Sequence, residues 1–381
     1  MSNEDNLQDL IALRKEIHQH PELSGEEAQT AKRIKSFIKQ YNPSKLIEGI
    51  GGHGFIAQFK GEEDGPSVTI RAELDALPIQ ESSDLDYKSE YEEKGHLCGH
   101  DGHMTMVAAL APFLSENKPR KGAVNLLFQP AEETGQGARE MLNDDKINEV
   151  DHDYIFALHN LPGFKQNSII IKKGGFAAAS KGLIIKLKGK TSHAAEPKKG
   201  NSPAPAAAEI INKIEHLTEK LEGLENFSLV TVVHAKIGDR AFGTTPGKAV
   251  VMATLRAYLD KDLDILEDAA KTMCEEVADR YGLKCAIEET EVFSSTMNNE
   301  DCVGLIEEAA KDNDFERFHL EKPFRWSEDF GLFSQTYKGA MFGLGAGEDT
   351  PALHNPDYDF PDEIMKTGIT MFESLIKKLV Y

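Results

Sequence analysis

The sequence predicts an α/β protein in two parts, a large domain on a mostly parallel sheet and a smaller module inserted into it. Three observations carry this reading. At 381 residues the chain is long for one hydrophobic core. Before residue 174, apolar runs of strand length alternate with segments of helical period, the pattern of a sheet covered on both faces. From Ser180 the order becomes strand, helix, strand, strand, helix, strand, which is the ferredoxin-like β-α-β-β-α-β pattern. The expected division is 1–174 with 293–381 for the large domain and 175–292 for the insert.

The elements follow in order. Leu7, Leu10, Ile11, Leu13 and Ile17 recur at helical spacing and predict a helix from about Asn6 to His18. Pro21 and Gly25 interrupt it within HPELSGEEA, and Ser24 is placed to cap a second helix carrying Ala28, Ile34 and Ile38. GFIAQFKG and SVTIRAELDA read as strands, Met104 to Leu114 as a helix, AVNLLFQPA as a strand, Ala138 to Asn143 as a helix and YIFALHN as a strand. The insert comprises GLIIKLKG, a helix over Pro203 to Leu221, FSLVTVVHAKIG, KAVVMATLRAYL, a helix over Leu263 to Tyr281, and LKCAIEETEV. After about Phe293 come a helix over Cys302 to Lys311, the short strand GAMFGLGAG and a last helix over Asp362 to Val380.

Composition narrows the partners. The chain carries 43 basic and 64 acidic side chains, a net charge of −21. A field of that sign repels phosphates, which excludes nucleic acid and anionic membranes as main partners. The four cysteines, Cys98, Cys274, Cys285 and Cys302, are too few and scattered for a disulfide framework. The opening MSNEDNLQDL is acidic and has no apolar core of a signal peptide, and no apolar run approaches the ~20 residues that span a bilayer. A cytoplasmic location is expected.

The chemistry concentrates where predicted strands end. In HLCGHDGHMTM, Cys98, His100, Asp101 and His103 crowd around two glycines just ahead of a helix. Glu73 and Asp75 end one strand, the adjacent pair Glu132 and Glu133 a second, and His159 a third, while His354 lies in a loop near the C-terminus. Taken singly, each has an ordinary explanation: a buried thiol, a core histidine, or acidic residues favoured by a helix N-terminus. Together they place thiolate, imidazole and carboxylate groups along one rim of the sheet. That is the ligand set of zinc and its neighbours, at the strand ends where open α/β sheets hold their sites.

These residues sit in motifs that resemble a known family. RAELDALPIQE, HLCGHDGHMTM, FQPAEETGQGA, ALHNLPG, GKTSHAAEP, SEDF and LHNPDYDFPDE are similar, in order, to motifs of the zinc amidohydrolase and carboxypeptidase family that includes the aminoacylases. The cysteine in CGHD resembles the branch of hippurate hydrolases and indole-acetyl-amino-acid hydrolases. The resemblance implies a dinuclear-metallohydrolase α/β domain with a ferredoxin-like lid that commonly mediates dimerisation. It implies two divalent ions, zinc foremost with manganese, cobalt or nickel as alternatives. Cys98 would bridge them, His100 and His159 would hold one, and Glu133 and His354 the other. Glu132 would be the base acting on the attacking, metal-activated water. Asp75 would orient a ligand, and His193 would reach the developing oxyanion from the lid of the same or a partner subunit.

Two departures from the family pattern bear on substrate. Gly243 stands where an asparagine usually precedes the proline, here Pro246, so a backbone amide or Arg240 is expected to take over substrate binding, with Arg256 as a further carboxylate partner. Glu73 stands where the branch usually has aspartate. The expected reaction is hydrolysis of an N-acyl amino acid or related small conjugate. The alternatives are a dipeptidase or carboxypeptidase acting on short peptides, and a non-catalytic metal- or ligand-binding protein.

Overall fold

The computed structural model describes residues 3–219 and 221–381. Met1 and Ser2 of the acidic N-terminus, and Lys220 within the expected helix over Pro203 to Leu221, lie outside the described residues. The chain forms two compact units, one of Met1–Phe176, Thr296–Pro323 and Glu328–Tyr381, the other of Ala177–Ser295 and Phe324–Ser327. The division falls two or three residues beyond the expected 174/175 and 292/293 boundaries. The short return of Phe324–Ser327 to the second unit was not expected. Backbone pairing explains it, since the Ala178 N–H donates to the carbonyls of Phe324 and Trp326.

The first unit is built on an eight-stranded mixed sheet. Its strands lie in the order Lys45–Ile50, Gly54–Lys60, Lys121–Gln129, Glu63–Glu73, Tyr154–Pro162, Lys338–Gly347, Ile169–Ile171, Arg317–His319. The central four run parallel, and the first two are antiparallel additions at one edge. The central strands are buried almost throughout, as their unbroken apolar runs require of a sheet covered on both faces. Helices His100–Ala108 and Met365–Val380 pack on it, the latter through Met371, Phe372, Leu375 and Ile376. Because the four strands are parallel, Glu73, Gln129, His159 and Gly347 come to one rim.

Helix limits differ from expectation where local chemistry intervenes. The helix expected over Met104 to Leu114 begins at His100 and divides at Ala109 into His100–Ala108 and Leu110–Glu116. Pro112 has no N–H to give the Ala108 carbonyl, so the ladder cannot run through. Ser24 does not cap the second helix, Ala28–Lys39. Its hydroxyl donates to Asp75 Oδ2 at 2.7 Å, and Glu22 takes the Thr30 N–H instead.

The second unit orders its main strands Ser228–Ile237, Lys248–Ala257, Ala179–Lys188, Lys284–Phe293, all antiparallel. Helices Ala204–Glu215 and Asp260–Arg280 supply Ile210, Ile214, Leu266, Ala270 and Val277 to a core with Leu183, Ile185, Val251 and Leu255. Strand Lys248–Ala257 alternates buried and half-buried positions, as a sheet packed mainly on one face requires. Edge strand Ser228–Ile237 leaves Leu229, Val233 and Ile237 exposed. No described helix is long and apolar enough to cross a membrane.

Candidate active site

The rim of the first sheet gathers the groups that the sequence scattered. One potential ligand atom each of Cys98, His100 and His159 lie within 4.8 Å of one another, as do those of Cys98, Glu133 and His354. A third such group joins His100 to Glu132 and Glu133. Cys98 belongs to two of these clusters and His100 to two, so the set is contiguous.

Local backbone makes the convergence possible. Gly99 has φ +89°, and a Cβ there would lie 2.3 Å from Asn160 Nδ2. Only glycine turns the chain so sharply between Cys98, before the helix, and His100, its first residue. His159 lies in the last half of strand Tyr154–Pro162, three residues before its end. His354, half-exposed with φ +66°, is tied by its N–H to the Leu97 carbonyl, next to Cys98.

Hydrogen bonding separates the histidines by role. His103 is occupied on both nitrogens: Nδ1 lies 2.8 Å from Glu73 Oε2, and Nε2 accepts from the N–H of Asn160 at 3.1 Å. His100 donates Nδ1–H to the Asp75 carbonyl at 2.9 Å, which leaves Nε2 buried and without a hydrogen-bond partner among the described residues. That nitrogen faces Glu133 Oε1 at 3.8 Å and Glu132 Oε2 at 3.9 Å. Glu133 Oε1 and Asp75 Oδ1 are buried and unpartnered in the same way. Burial raises Glu133 to about 7, and burial with Glu328 and Glu133 beside it raises Glu132 well above the carboxylate range. Burial likewise raises the Cys98 thiol. Buried imidazole and carboxylate atoms without partners, set around a thiol, are the complement of divalent cations, and the donor set fits them.

The supporting groups were largely invisible in the sequence. Arg71 is fully buried. It donates Nε–H to Gln129 and pairs with Glu73, Glu328 and Asp329, the last two at 2.8 Å. Asp329 in turn donates its N–H to Glu132 Oε1 at 3.2 Å. Asp75 Oδ2 accepts from Ser24 Oγ and from the Glu133 N–H at 3.0 Å. SEDF was visible as a motif, but a buried arginine opposite it carries no local signal.

The remaining expected residues lie in the second unit. His193 is exposed on the two-residue strand Ser192–His193, paired with Thr244–Thr245. Its Nδ1 accepts from the Ala195 N–H at 3.1 Å, which leaves Nε2 to carry the hydrogen of the neutral ring. Arg240 is exposed, and the Gly243 carbonyl accepts from Ala194 N–H. Arg256 is half-buried, and its Nη1 donates to the Arg325 carbonyl and to Ser327 Oγ.

A sheet whose parallel central strands gather buried thiol, imidazole and paired carboxylates at one rim is the setting of an amide hydrolase, and that is the class of this enzyme. The model of peptidase family M20/M25/M40 matches residues 69–378, and the chain belongs to that family. It is 32% identical to the hippurate hydrolase of Campylobacter jejuni, over 96% of this chain and 95% of the relative. It is 30% identical to an N-acetylcysteine deacetylase of Bacillus subtilis, over 96% and 95%. Among solved structures, a dinuclear metal binding peptidase of the same family from Bacillus subtilis superposes with a TM-score of 0.82 at 26% identity, covering 98% of each chain.

Proposed function

We propose that this enzyme hydrolyses the amide bond of N-acyl amino acids or closely related small conjugates, using two divalent cations. The observation that carries this reading is the sharing of Cys98 between the His100–His159 and Glu133–His354 clusters, with Glu132 beside them. The names of the two relatives, a hippurate hydrolase and an N-acetylcysteine deacetylase, support the substrate class. His100 and His159 would hold one ion, Glu133 and His354 the other, and Cys98 both. Zinc suits the thiolate best, with manganese, cobalt and nickel as alternatives. The ions would polarise the amide carbonyl and lower the pKa of water.

The chain's own groups do the rest. Glu132, with Oε1 held by the Asp329 N–H, keeps Oε2 free to take a proton from the attacking water and pass it to the departing nitrogen. Asp75 fixes both neighbours: its carbonyl sets the tautomer of His100, and its carboxylate holds the backbone of Glu133. His193, through Nε2–H, would stabilise charge on the carbonyl oxygen as it develops. Arg256 and Arg240 are the cationic candidates for the substrate carboxylate.

The second unit is then a ferredoxin-like lid, the inserted domain. Its exposed edge strand suits pairing with a second copy, and the cytoplasm suits the four free thiols of the whole chain. The test is a panel of N-acyl amino acids and dipeptides with the zinc- and manganese-loaded enzyme. Wild type should favour the acyl amino acids, and Glu132→Gln should retain two ions while losing at least ~1000-fold in kcat. Preference for dipeptides, or an inert wild type with every metal, would overturn the reading.

A further inference from the structure

The N-terminal segment HPELSGEEA lies far from every strand end that the sequence marked, yet it reaches the site. Leu23 bridges to Ala76 in parallel, and the Ala76 N–H donates to the Glu22 carbonyl, so the segment runs beside the end of strand Glu63–Glu73. Glu27 is fully buried there. Its Oε1 accepts two backbone hydrogen bonds, from Gly25 N–H at 2.7 Å and from Ala131 N–H at 2.8 Å.

Ala131 immediately precedes Glu132 and Glu133 and has φ +50°, a conformation that a non-glycine residue adopts only when its surroundings impose it. Its carbonyl is also engaged, by the N–H groups of Gln136 and Gly137. Two residues on, the Glu133 N–H is held by Asp75, whose same oxygen takes the Ser24 hydroxyl. Two carboxylates from different parts of the chain therefore fasten the backbone on either side of Glu132.

We propose that Glu27 is a positioning residue: by gripping the Ala131 N–H it holds the strained turn that presents Glu132 and Glu133 to the site. This rests on the metal-hydrolase reading above for the roles of those two glutamates. Ser24 completes the clamp through Asp75. Glu27 is in none of the clusters that could hold an ion. What it supplies is an acceptor at one oxygen, a demand that an amide meets as well as a carboxylate.

The test compares Glu27→Leu, which keeps volume and removes the acceptor, with Glu27→Gln, which keeps it. Folding of each is checked by circular dichroism, and the metal-free proteins are titrated calorimetrically with Mn²⁺. Wild type should take up two ions. Glu27→Leu should bind one of them at least tenfold more weakly and the other as wild type does, while Glu27→Gln stays within threefold for both. On acyl amino acids, Glu27→Leu should lose kcat at least tenfold with KM within twofold. Ser24→Ala, an independent cut in the same clamp, should weaken the same ion about threefold and serves if Glu27→Leu does not fold. A folded Glu27→Leu that binds both ions like wild type overturns the proposal, as does equal impairment of the Leu and Gln variants, or an unaltered Ser24→Ala where Glu27→Leu is unfolded. An inert wild type would overturn the substrate reading alone, because the titration reads the clamp without turnover.

Discussion

The imidazole of His18 lies 2.9 Å from the carboxylate of Asp101, with both side chains wholly buried. Arg14, also buried, reaches the same Asp101 oxygen and pairs with Asp359 and Asp362. Asp101 follows His100 at the start of its helix, so the first helix of the chain anchors the one that presents the site. Burial by itself would depress His18, but its hydrogen bonds to Asp101 and Glu81 outweigh this and push it up to about 9. A raised folded pKa means stability that is complete below pH 6.5 and is lost as pH rises through 9.

The urea midpoint followed by far-UV circular dichroism should therefore fall between pH 6.5 and 9, by an amount worth about 3 kcal/mol at most. His18→Gln should be less stable at pH 6 and lack this slope. An identical slope in the variant would assign it to other groups.

Replacing Arg71 by Met should cost about 3–5 kcal/mol, since Glu73, Glu328 and Asp329 would be left buried beside one another without their cation. Urea denaturation measures it. A loss under ~1 kcal/mol would mean that the carboxylates share protons well enough without the arginine.

The second unit carries its own acid-sensitive cluster. Hydrogen bonds from Lys271, with Glu267 and Lys181 beside it, bring Glu289 down to about 2. A lowered folded pKa gives stability present above about 4.5 and lost as pH falls towards 2. Trp326, the one tryptophan of the chain, belongs to this unit and reports its unfolding by fluorescence. Its transition should weaken below pH 4.5, and Glu289→Gln should flatten that dependence.

Chelation should abolish turnover while leaving a folded protein. The first sheet has its own apolar core, including Val68, Ile70, Leu126, Phe128, Phe156 and Phe342, which needs no cation to form. Far-UV circular dichroism should change little on adding EDTA, with a lower melting temperature as the binding energy is withdrawn. Loss of the folded spectrum would make the ions structural.

Much of this protein was written in local pattern. Apolar runs marked the parallel strands, and turns rich in polar residues at their ends marked Cys98, His100, Glu132, Glu133, His159 and His354, because side chains that follow a buried parallel strand must emerge at its rim. Motif resemblance added an expectation that pattern could not, the proposed division of those residues into ligands and base.

Tertiary structure decided how the groups are held. His100 and His103 look alike in local pattern, and the structure separates them by the occupation of both His103 nitrogens, by Glu73 and Asn160. Nothing local marked Arg71, Ser24 read as a helix cap, and nothing local marked Glu27. Their partners, at Glu328 and Asp329, Asp75 and Ala131, are distant in the chain. Local sequence determines period and turn chemistry. Which donor meets which acceptor is settled only when the packed sheet removes water and every buried polar atom must find its partner within the fold.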